Sequence, residues 1–404
     1  MITLLCKMIL LGMMTLLFLV SCEDETTPDP APVTWASVSG GRWHTLAIKT
    51  DGTLWAWGMN NYGQLGLGNS GEGTNRNTPT QVGADLNWSS VSGGMDHTVA
   101  IKTDGTLWAW GHNAWGQLGL GHTTPEPIPT PTQVLPAGLP ATGWSFVSAG
   151  WRHTIALRTD GTLWAWGLNA EGQLGLGHRT NTPTPTQVLP GTTWLSVYAG
   201  AGHTLAIRPD GTLWSWGGNH EGQLGLGHWA HTPIPTQVLP AGLPATGWAS
   251  VSGGDFYTIA IRTDGTLWAW GMNTSGQLGL GHATHIPTPT HVLPAGLPAT
   301  GWSSVSAGWA YTLSIRTDGT LWAWGVNVDG RLGLGHATLI PTLTPTQVVL
   351  PAGTPTTNWS SVSVGERHTL AIRTDGTLWA WGWNWFGQLG LGDTTNRNTP
   401  TQIP

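Results

Sequence analysis

The chain has 404 residues, of which only 9% are charged, and it contains 59 glycines and 28 tryptophans. Runs of Glu, Lys, Ala and Leu, which favour helices, are missing, so the composition argues against a helical fold. The net charge is −6, and the residues from Trp35 onward carry 14 basic and 17 acidic side chains without a basic run. We therefore predict that the protein binds no nucleic acid.

The first 34 residues differ from the rest of the chain. Lys7 precedes a mostly apolar stretch at residues 8–20, which is too short to span a bilayer as a helix and is typical of a signal-peptide core. The stretch ends in Leu-Val-Ser-Cys, which resembles the lipobox of bacterial lipoproteins. That resemblance implies cleavage before Cys22 and lipidation of this cysteine; the alternative is an ordinary secretory signal followed by an incidental cysteine.

These features predict a lipoprotein signal peptide at residues 1–21 and an acidic, proline-rich, extended tether at residues 22–34. The protein would then be held by a lipid anchor in a bacterial cell envelope. We expect the outer membrane or the cell surface rather than the inner membrane.

From Trp35 to the C-terminus one block is repeated seven times. Each copy contains Trp-x-Ser-Val-x-x-Gly, His-Thr-Leu-Ala-Ile, Asp-Gly-Thr-Leu-Trp-Ala-Trp-Gly and Gln-Leu-Gly-Leu-Gly, with small variations. A period of about 50 residues with turn signals inside each unit indicates a repeat architecture, so residues 35–404 are predicted to be one domain. The copies begin at Trp35, Trp88, Trp144, Trp194, Trp248, Trp302 and Trp359.

The first copy predicts four short strands. Asp51-Gly52 is a strong hairpin signal because glycine accepts a positive φ without a Cβ clash. The third strand is apolar on both faces, as expected of a propeller blade covered by neighbours on both sides. The three tryptophans that recur in each copy are predicted to be structural. The predicted strands comprise residues 35–39, 44–50, 53–58 and 78–82.

We therefore predict an all-β fold, a seven-bladed β-propeller with four strands per blade. If the fourth strand of each repeat joins the blade of the next repeat, residues 399–403 have no later blade to join. We expect this C-terminal strand to complete the first blade and close the ring, which would remove an exposed sheet edge.

The repeat resembles that of the regulator of chromosome condensation family, whose members form seven-bladed propellers. All seven copies match, with departures such as Phe146, Ser215 and Arg331. The founding member is an exchange factor for a nuclear GTPase, an activity that does not suit a secreted lipoprotein. The layout is also similar to beta-lactamase inhibitor protein II, a secreted propeller that binds its enzyme through aromatic-rich loops. A plant photoreceptor of the family has Gly-Trp-Arg-His-Thr motifs, but only residues 150–154 match one fully, so we do not expect light sensing.

Strand parity places the turn before His-Thr and the loop after Trp-Ala-Trp-Gly at one end of each blade, which we call the variable face. The Asp-Gly hairpins lie at the other end, the plain face. Residues on the variable face differ between repeats, and exposed aromatic residues mixed with Arg and Glu are typical of protein-binding hot spots, although neutral drift in loops is the alternative. The predicted partner-binding residues are Arg42, Trp43, Tyr62, Met95, Asp96, Trp115, Trp151, Arg152, Glu171, His220, Glu221, Asp255, Phe256, Trp309, Asp329, Glu366, Arg367, Trp383, Trp385 and Phe386.

Other kinds of site find little support in the sequence. The repeated His becomes Tyr257 and Tyr311 in two copies, a change that a zinc ligand would not survive, so no metal site is predicted. Turn chemistry explains the repeated Asp, and no Ser, His and Asp set stands apart from the repeat, so we predict no catalytic residue and no cofactor. We expect a monomeric, non-catalytic scaffold that binds a protein. A glycan-binding propeller is the alternative, and an enzyme with a deep axial pocket is the second alternative.

Overall fold

The computed structural model describes residues 32–136, 138–294 and 296–404 of the protein. The predicted signal peptide, Cys22 and residues 22–31 of the tether lie outside these residues. Within them, no helix has the length and apolar character needed to cross a bilayer.

The described residues fold into seven antiparallel sheets of four strands, and each sheet consists of four strands that are consecutive in the sequence. Each sheet contacts the next, and the last contacts the first, so the sheets form the blades of a ring. The predicted all-β, seven-bladed propeller is confirmed. The strands are β1 Trp35–Gly40, β2 His44–Lys49, β3 Leu54–Gly58, β4 Arg76–Gln81, β5 Trp88–Gly93, β6 His97–Lys102, β7 Leu107–Asn113, β8 Thr124–Gln133, β9 Trp144–Ala149, β10 His153–Arg158, β11 Leu163–Gly167, β12 Thr182–Gln187, β13 Ser196–Ala199, β14 His203–Ile207, β15 Leu213–Gly217, β16 Thr232–Gln237, β17 Trp248–Gly253, β18 Tyr257–Arg262, β19 Leu267–Gly271, β20 Ile286–His291, β21 Trp302–Ala307, β22 Tyr311–Arg316, β23 Leu321–Asn327, β24 Thr338–Gln347, β25 Trp359–Val364, β26 His368–Arg373, β27 Leu378–Gly382 and β28 Arg397–Gln402.

The Asp-Gly hairpin is fixed by its own side chains. In the first blade, Asp51 Oδ1 accepts hydrogen bonds from the backbone N–H and the hydroxyl of Thr53, at 3.0 and 2.7 Å, and Gly52 has a φ of 80°. The Trp55 indole N–H then donates to the Thr53 hydroxyl at 2.8 Å. The same arrangement recurs in the other six blades, so the repeated Asp is explained by turn chemistry, as the sequence predicted.

Tryptophan fills the interfaces between blades. The third framework residue of blade 2, Trp110, is fully buried and donates its indole N–H to the Gln64 carbonyl of blade 1 at 3.0 Å. Trp88, the first framework residue, is also buried and packs edge-on against Trp110. The middle residue differs from expectation: Trp108 is only half-buried, and the Lys102 ammonium lies 4.2 Å from the centre of its ring.

The His-Thr motif joins neighbouring blades. His97 Nε2 lies 3.1 Å from the hydroxyl oxygen of Thr154 in the next blade, and that hydroxyl donates to the Gln117 carbonyl at 2.8 Å. Because the hydroxyl has a single proton, it must accept the remaining bond from a protonated Nε2. Burial lowers the pKa of His97 to about 3. In blades 5 and 6 a tyrosine hydroxyl, as at Tyr257, bonds to the next blade instead, so this position is structural.

The predicted closure of the ring is wrong. The C-terminal strand β28 pairs with β27 of its own repeat, with Gln402 opposite Trp379, and does not join the first blade. The reason is that the chain after each third strand returns antiparallel along that same strand, so every repeat is already a complete blade. The fourth strands remain edges, and prolines such as Pro79, which lack an N–H donor, protect them from pairing.

Candidate binding face

The first strands of neighbouring blades contact one another around the ring, so the turns that follow them meet at the axis. They enclose a cavity of about 80 Å³, which we call the axial funnel. The first variable residue of every turn lines it, so the structure brings together six predicted residues that are far apart in sequence. These seven turn residues are Arg42, Met95, Trp151, Ala201, Asp255, Trp309 and Glu366.

Glycines allow the turns to approach each other so closely. A Cβ atom on Gly150 would lie 2.6 Å from the Gly200 carbonyl oxygen of the next blade and 2.3 Å from the His153 ring. Between blades 1 and 2, the Arg42 N–H donates to the Gly94 carbonyl at 3.1 Å, and across the closing interface the Glu366 N–H donates to the Arg42 carbonyl at 3.3 Å. The Gly-Gly and Ala-Gly pairs of the sequence therefore set the width of the axial funnel.

An ion pair crosses the funnel wall where the last blade meets the first. Arg42 Nε lies 2.5 Å from Glu366 Oε2, and the guanidinium also stacks over the Trp43 ring at 3.8 Å. Asp255, in the turn between β17 and β18, also lines the funnel and is only 8% exposed. Its Oδ2 atom is buried and has no hydrogen-bond partner among the described residues.

The electrostatics of Asp255 follow from this position. Burial raises the pKa of its carboxyl well above the usual range, Glu366 raises it further, and Arg42 acts in the opposite direction. Asp96, half-buried beside the funnel, behaves similarly: burial raises its pKa to about 6, against the effect of Arg42 and Arg152. The centre of the variable face therefore holds carboxyl groups whose charge is poorly compensated.

Several rings form an aromatic patch on blades 7 and 1, composed of Trp43, Trp383, Trp385 and Phe386. The Trp43 ring lies 5.9 Å from Trp383 and 5.4 Å from Phe386, measured between centroids. The Arg367 guanidinium lies over Trp383 at 5.5 Å. Trp385, by contrast, is 71% exposed. The patch thus consists of packed rings beside one ring that projects into solvent.

Other predicted residues form smaller pairs on the same face. Trp151 packs against Phe256 with ring centres 6.2 Å apart, and Arg152 lies over Trp115 at 5.5 Å. The Tyr62 ring is 4.9 Å from His112, a residue outside the predicted partner-binding set. Trp309 lies under Arg367 at 5.2 Å.

A set of polar side chains lies on blades 3 to 6, and it includes pairing residues that the sequence did not predict. Glu221 pairs with His285 at 2.6 Å, and the His220 ring lies 4.0 Å from that of His231. Asp329 pairs with the buried Arg331, and the other repeats have Gln at the position of Arg331. That departure from the repeat could have indicated an acidic partner for Arg331. Burial raises the pKa of Glu171. Within the described residues, no group of three or more His, Cys, Asp or Glu side chains could hold a metal ion.

Comparison with protein-family models identifies the repeat. The RCC1-like domain matches residues 126–404, and the regulator of chromosome condensation (RCC1) repeat matches residues 51–101 and, in a second form, residues 35–64 and 88–117. The chain belongs to the RCC1-like propeller family. Its RCC1 repeats carry the framework, and the variable residues stand on the turns between framework positions.

Known proteins agree with this assignment. The chain is 33% identical to the ultraviolet-B receptor UVR8 of Arabidopsis thaliana over 373 residues, which is 91% of this chain and 69% of UVR8. It is 30% identical to the E3 ubiquitin-protein ligase HERC2 of Homo sapiens over 93% of its length, but spans only 8% of HERC2.

Solved RCC1-like structures share the fold. Human WBSCR16 superposes with a TM-score of 0.76 at 23% identity, covering 87% of this chain and 94% of WBSCR16. Yeast RCC1 (Prp20), solved with Kap60 bound, gives 0.75 at 22% identity, covering 87% of this chain and 83% of Prp20.

Proposed function

We propose that this RCC1-like propeller is a non-catalytic scaffold, anchored in a bacterial envelope, that recognises a protein partner through its variable face. The observation that carries the proposal is the exposed Trp385 beside the packed rings of the aromatic patch, with Arg367 over them. A tryptophan with Arg and other aromatic residues around it is the usual composition of a protein-binding hot spot.

The size of the axial funnel supports a protein rather than a small molecule. Pockets that enclose a drug-sized ligand have volumes of roughly 300 to 1,000 Å³, whereas the funnel encloses about 80 Å³. A glycan platform or an enzyme site would need a longer groove or a deeper pocket. A partner that covers the whole face needs neither.

The relatives also favour a protein partner. One solved structure is of yeast RCC1 (Prp20) bound to Kap60, and another study of Prp20p concerns its binding properties to Gsp1p and histones. We propose the same class of ligand here.

Envelope anchoring is supported by the Leu-Val-Ser-Cys motif that ends at Cys22. In cells that express the full chain, radiolabelled palmitate should be incorporated and the protein should fractionate with membranes. Cys22→Ser should abolish both. Incorporation of label into the Cys22→Ser variant would contradict the lipid anchor.

The binding role is tested by crosslinking the full chain to its partners in envelope preparations. Trp385→Ala should reduce the specific crosslinked product at least about tenfold, the loss expected for a hot-spot residue. Leu239→Ala is the control, because Leu239 is 66% exposed but lies in the loop between β16 and β17 on the plain face. Equal crosslinking by both variants and the unmodified chain would overturn the proposal.

A further inference from the structure

The axial funnel holds a carboxylate that has the Trp151 side chain as a hydrogen-bond partner but keeps one oxygen atom that no described residue satisfies. Asp255 is more than nine-tenths buried, lines the cavity, and has an Oδ2 atom without a hydrogen bond. A buried carboxylate oxygen without a hydrogen bond carries a desolvation cost, which a bound cation or protonation of the carboxyl would offset.

The walls around Asp255 suit a cation. Trp151 and Trp309 both line the funnel, and indole faces attract ammonium and guanidinium groups. The Arg367 and Arg331 guanidinium groups already lie over the Trp309 ring, at 5.2 and 5.6 Å, so Trp151 is the ring that a further cation can approach. Among the lining residues Arg42 is positive, whereas Asp255 and Glu366 are acidic. Because Arg42 is already paired with Glu366 at 2.5 Å, Asp255 is the acidic group left over.

The volume limits what can enter. A cavity of about 80 Å³ admits the end of one side chain and excludes a complete small-molecule ligand. We infer that the axial funnel receives the cationic end of a lysine or arginine side chain from the protein partner, which pairs with Asp255 beside the Trp151 ring. This inference rests on the proposed function, since it names the chemistry that the partner presents at the centre of the face.

The groups facing Asp255 give the binding a pH dependence. Burial and Glu366 raise the pKa of its carboxyl, and Arg42 and the Trp151 side chain lower it. A cation binds the ionised form, so its affinity should increase with pH and level off only above the raised pKa of Asp255, which is well above the ordinary aspartate value of about 4. Binding should also release a proton.

The experiment needs no knowledge of the partner. The full chain, labelled with 5-fluorotryptophan, is titrated with N-acetyl-lysine methylamide, its arginine analogue, and the uncharged N-acetylnorleucine methylamide. Fluorine NMR signals of Trp151 and Trp309 are assigned from their Phe variants. The lysine and arginine probes should shift the Trp151 signal in a saturable manner, the norleucine probe should not, and the lysine affinity should increase with pH.

Variants separate a specific site from general electrostatics. Asp255→Asn should weaken the lysine probe by roughly tenfold or more, equivalent to the loss of one charge pair, whereas Glu126→Gln, which removes an exposed charge from β8, should not. Should Asp255→Asn fail to fold, the pH series on the unmodified chain still tests the inference. Equal shifts from norleucine, or from NaCl or KCl at the same concentration, would overturn it, as would an affinity independent of pH.

The result can be distinguished from failure of the proposed function. If Trp385→Ala abolishes crosslinking while the probes leave the funnel signals unchanged, the scaffold role stands and the cation site is wrong. If the probes bind but crosslinking is insensitive to Trp385, the funnel accepts cations and the proposed aromatic interface is wrong.

Discussion

His368 in the last blade is hydrogen-bonded to Thr45 in the first, with Nε2 3.0 Å from Oγ1. The same threonine hydroxyl donates to the Gln388 carbonyl at 2.8 Å. The Trp57 indole N–H also donates to the Gln388 carbonyl, at 3.0 Å. No strand passes between the two blades, so the buried hydrogen bonds of this junction help to hold the ring closed. Closure here depends on a His, Thr and Trp arrangement that five of the seven repeats contain, with tyrosine in place of His in the other two.

Removing the Thr45 hydroxyl should therefore destabilise the closed ring. Thr45→Val keeps the shape of the side chain but leaves the buried imidazole N–H of His368 unpaired, at about 1–3 kcal/mol. It also removes one of the two hydrogen bonds to the Gln388 carbonyl, at about 0.5–1.5 kcal/mol. We expect a loss of about 2–4 kcal/mol in the free energy of unfolding, measured in denaturant. Thr45→Ser, which retains the hydroxyl, should lose much less. A Thr45→Val variant as stable as the unmodified chain would show that the junction contributes little.

The five buried histidines of the His-Thr motif should make the fold acid-sensitive. Burial lowers each pKa to about 3, from an ordinary value near 6.5, in His44, His97, His153, His203 and His368.

A histidine with a lowered pKa stays neutral in the folded state while the unfolded chain takes up a proton, so stability is complete above about pH 6.5 and falls as pH drops toward 3. Each histidine adds a slope of up to about 1.4 kcal/mol per pH unit in this interval. Denaturation curves between pH 7.5 and 4.5 measure it. His97→Tyr, which copies the residue of blades 5 and 6, should reduce the slope by the contribution of one histidine, up to about 1.4 kcal/mol per pH unit. An unchanged slope would exclude His97 as a contributor.

Much of the fold could be predicted from the sequence because the same strand and turn patterns occur in all seven repeats. Asp51 and Gly52 fix the hairpin locally, and the continuous apolar run that ends at Trp57 indicates that the third strand is covered on both faces. These signals depend on neighbours in sequence. The observed strands begin and end within two residues of the predicted ones in the first blade.

Ring closure and the site could not be predicted in the same way. Residues 399–403 could pair with the first or the last blade, depending on where the long loop before them turns. The repeated sequence contains four strands per blade in both arrangements, so it does not distinguish them. The pairing of Arg42 with Glu366 and the isolation of Asp255 arise from the sevenfold ring, which brings together residues 324 positions apart. Sequence parity could place these residues on one face but could not show which of them are neighbours.

Glycine at the funnel should be required where the backbones meet. Gly150→Ala would place Cβ 2.6 Å from the Gly200 carbonyl oxygen, which cannot move without displacing the next blade. We expect a loss of several kcal/mol, on the order of the larger single-residue effects, seen as a marked fall in melting temperature. Gly202→Ala is the matched control, since Ala310 already occupies the equivalent turn position in blade 6 and the nearest group is the flexible end of Glu171. Similar melting temperatures for both variants would contradict this account.

In the aromatic patch, substitution of a packed ring should reduce stability, whereas substitution of the projecting ring should reduce binding and leave stability nearly unchanged. Trp43 contacts Trp383, Phe386 and the Arg42 guanidinium, so Trp43→Ala should cost about 2–4 kcal/mol of unfolding free energy, near the range for truncating a packed aromatic residue. Trp385 is 71% exposed, so Trp385→Ala should change stability by less than about 0.5 kcal/mol. Denaturation of both variants, paired with the crosslinking assay, checks this division. A large stability loss in Trp385→Ala would mean that this ring packs in the fold, and its loss of crosslinking could then no longer be attributed to a direct contact with the partner.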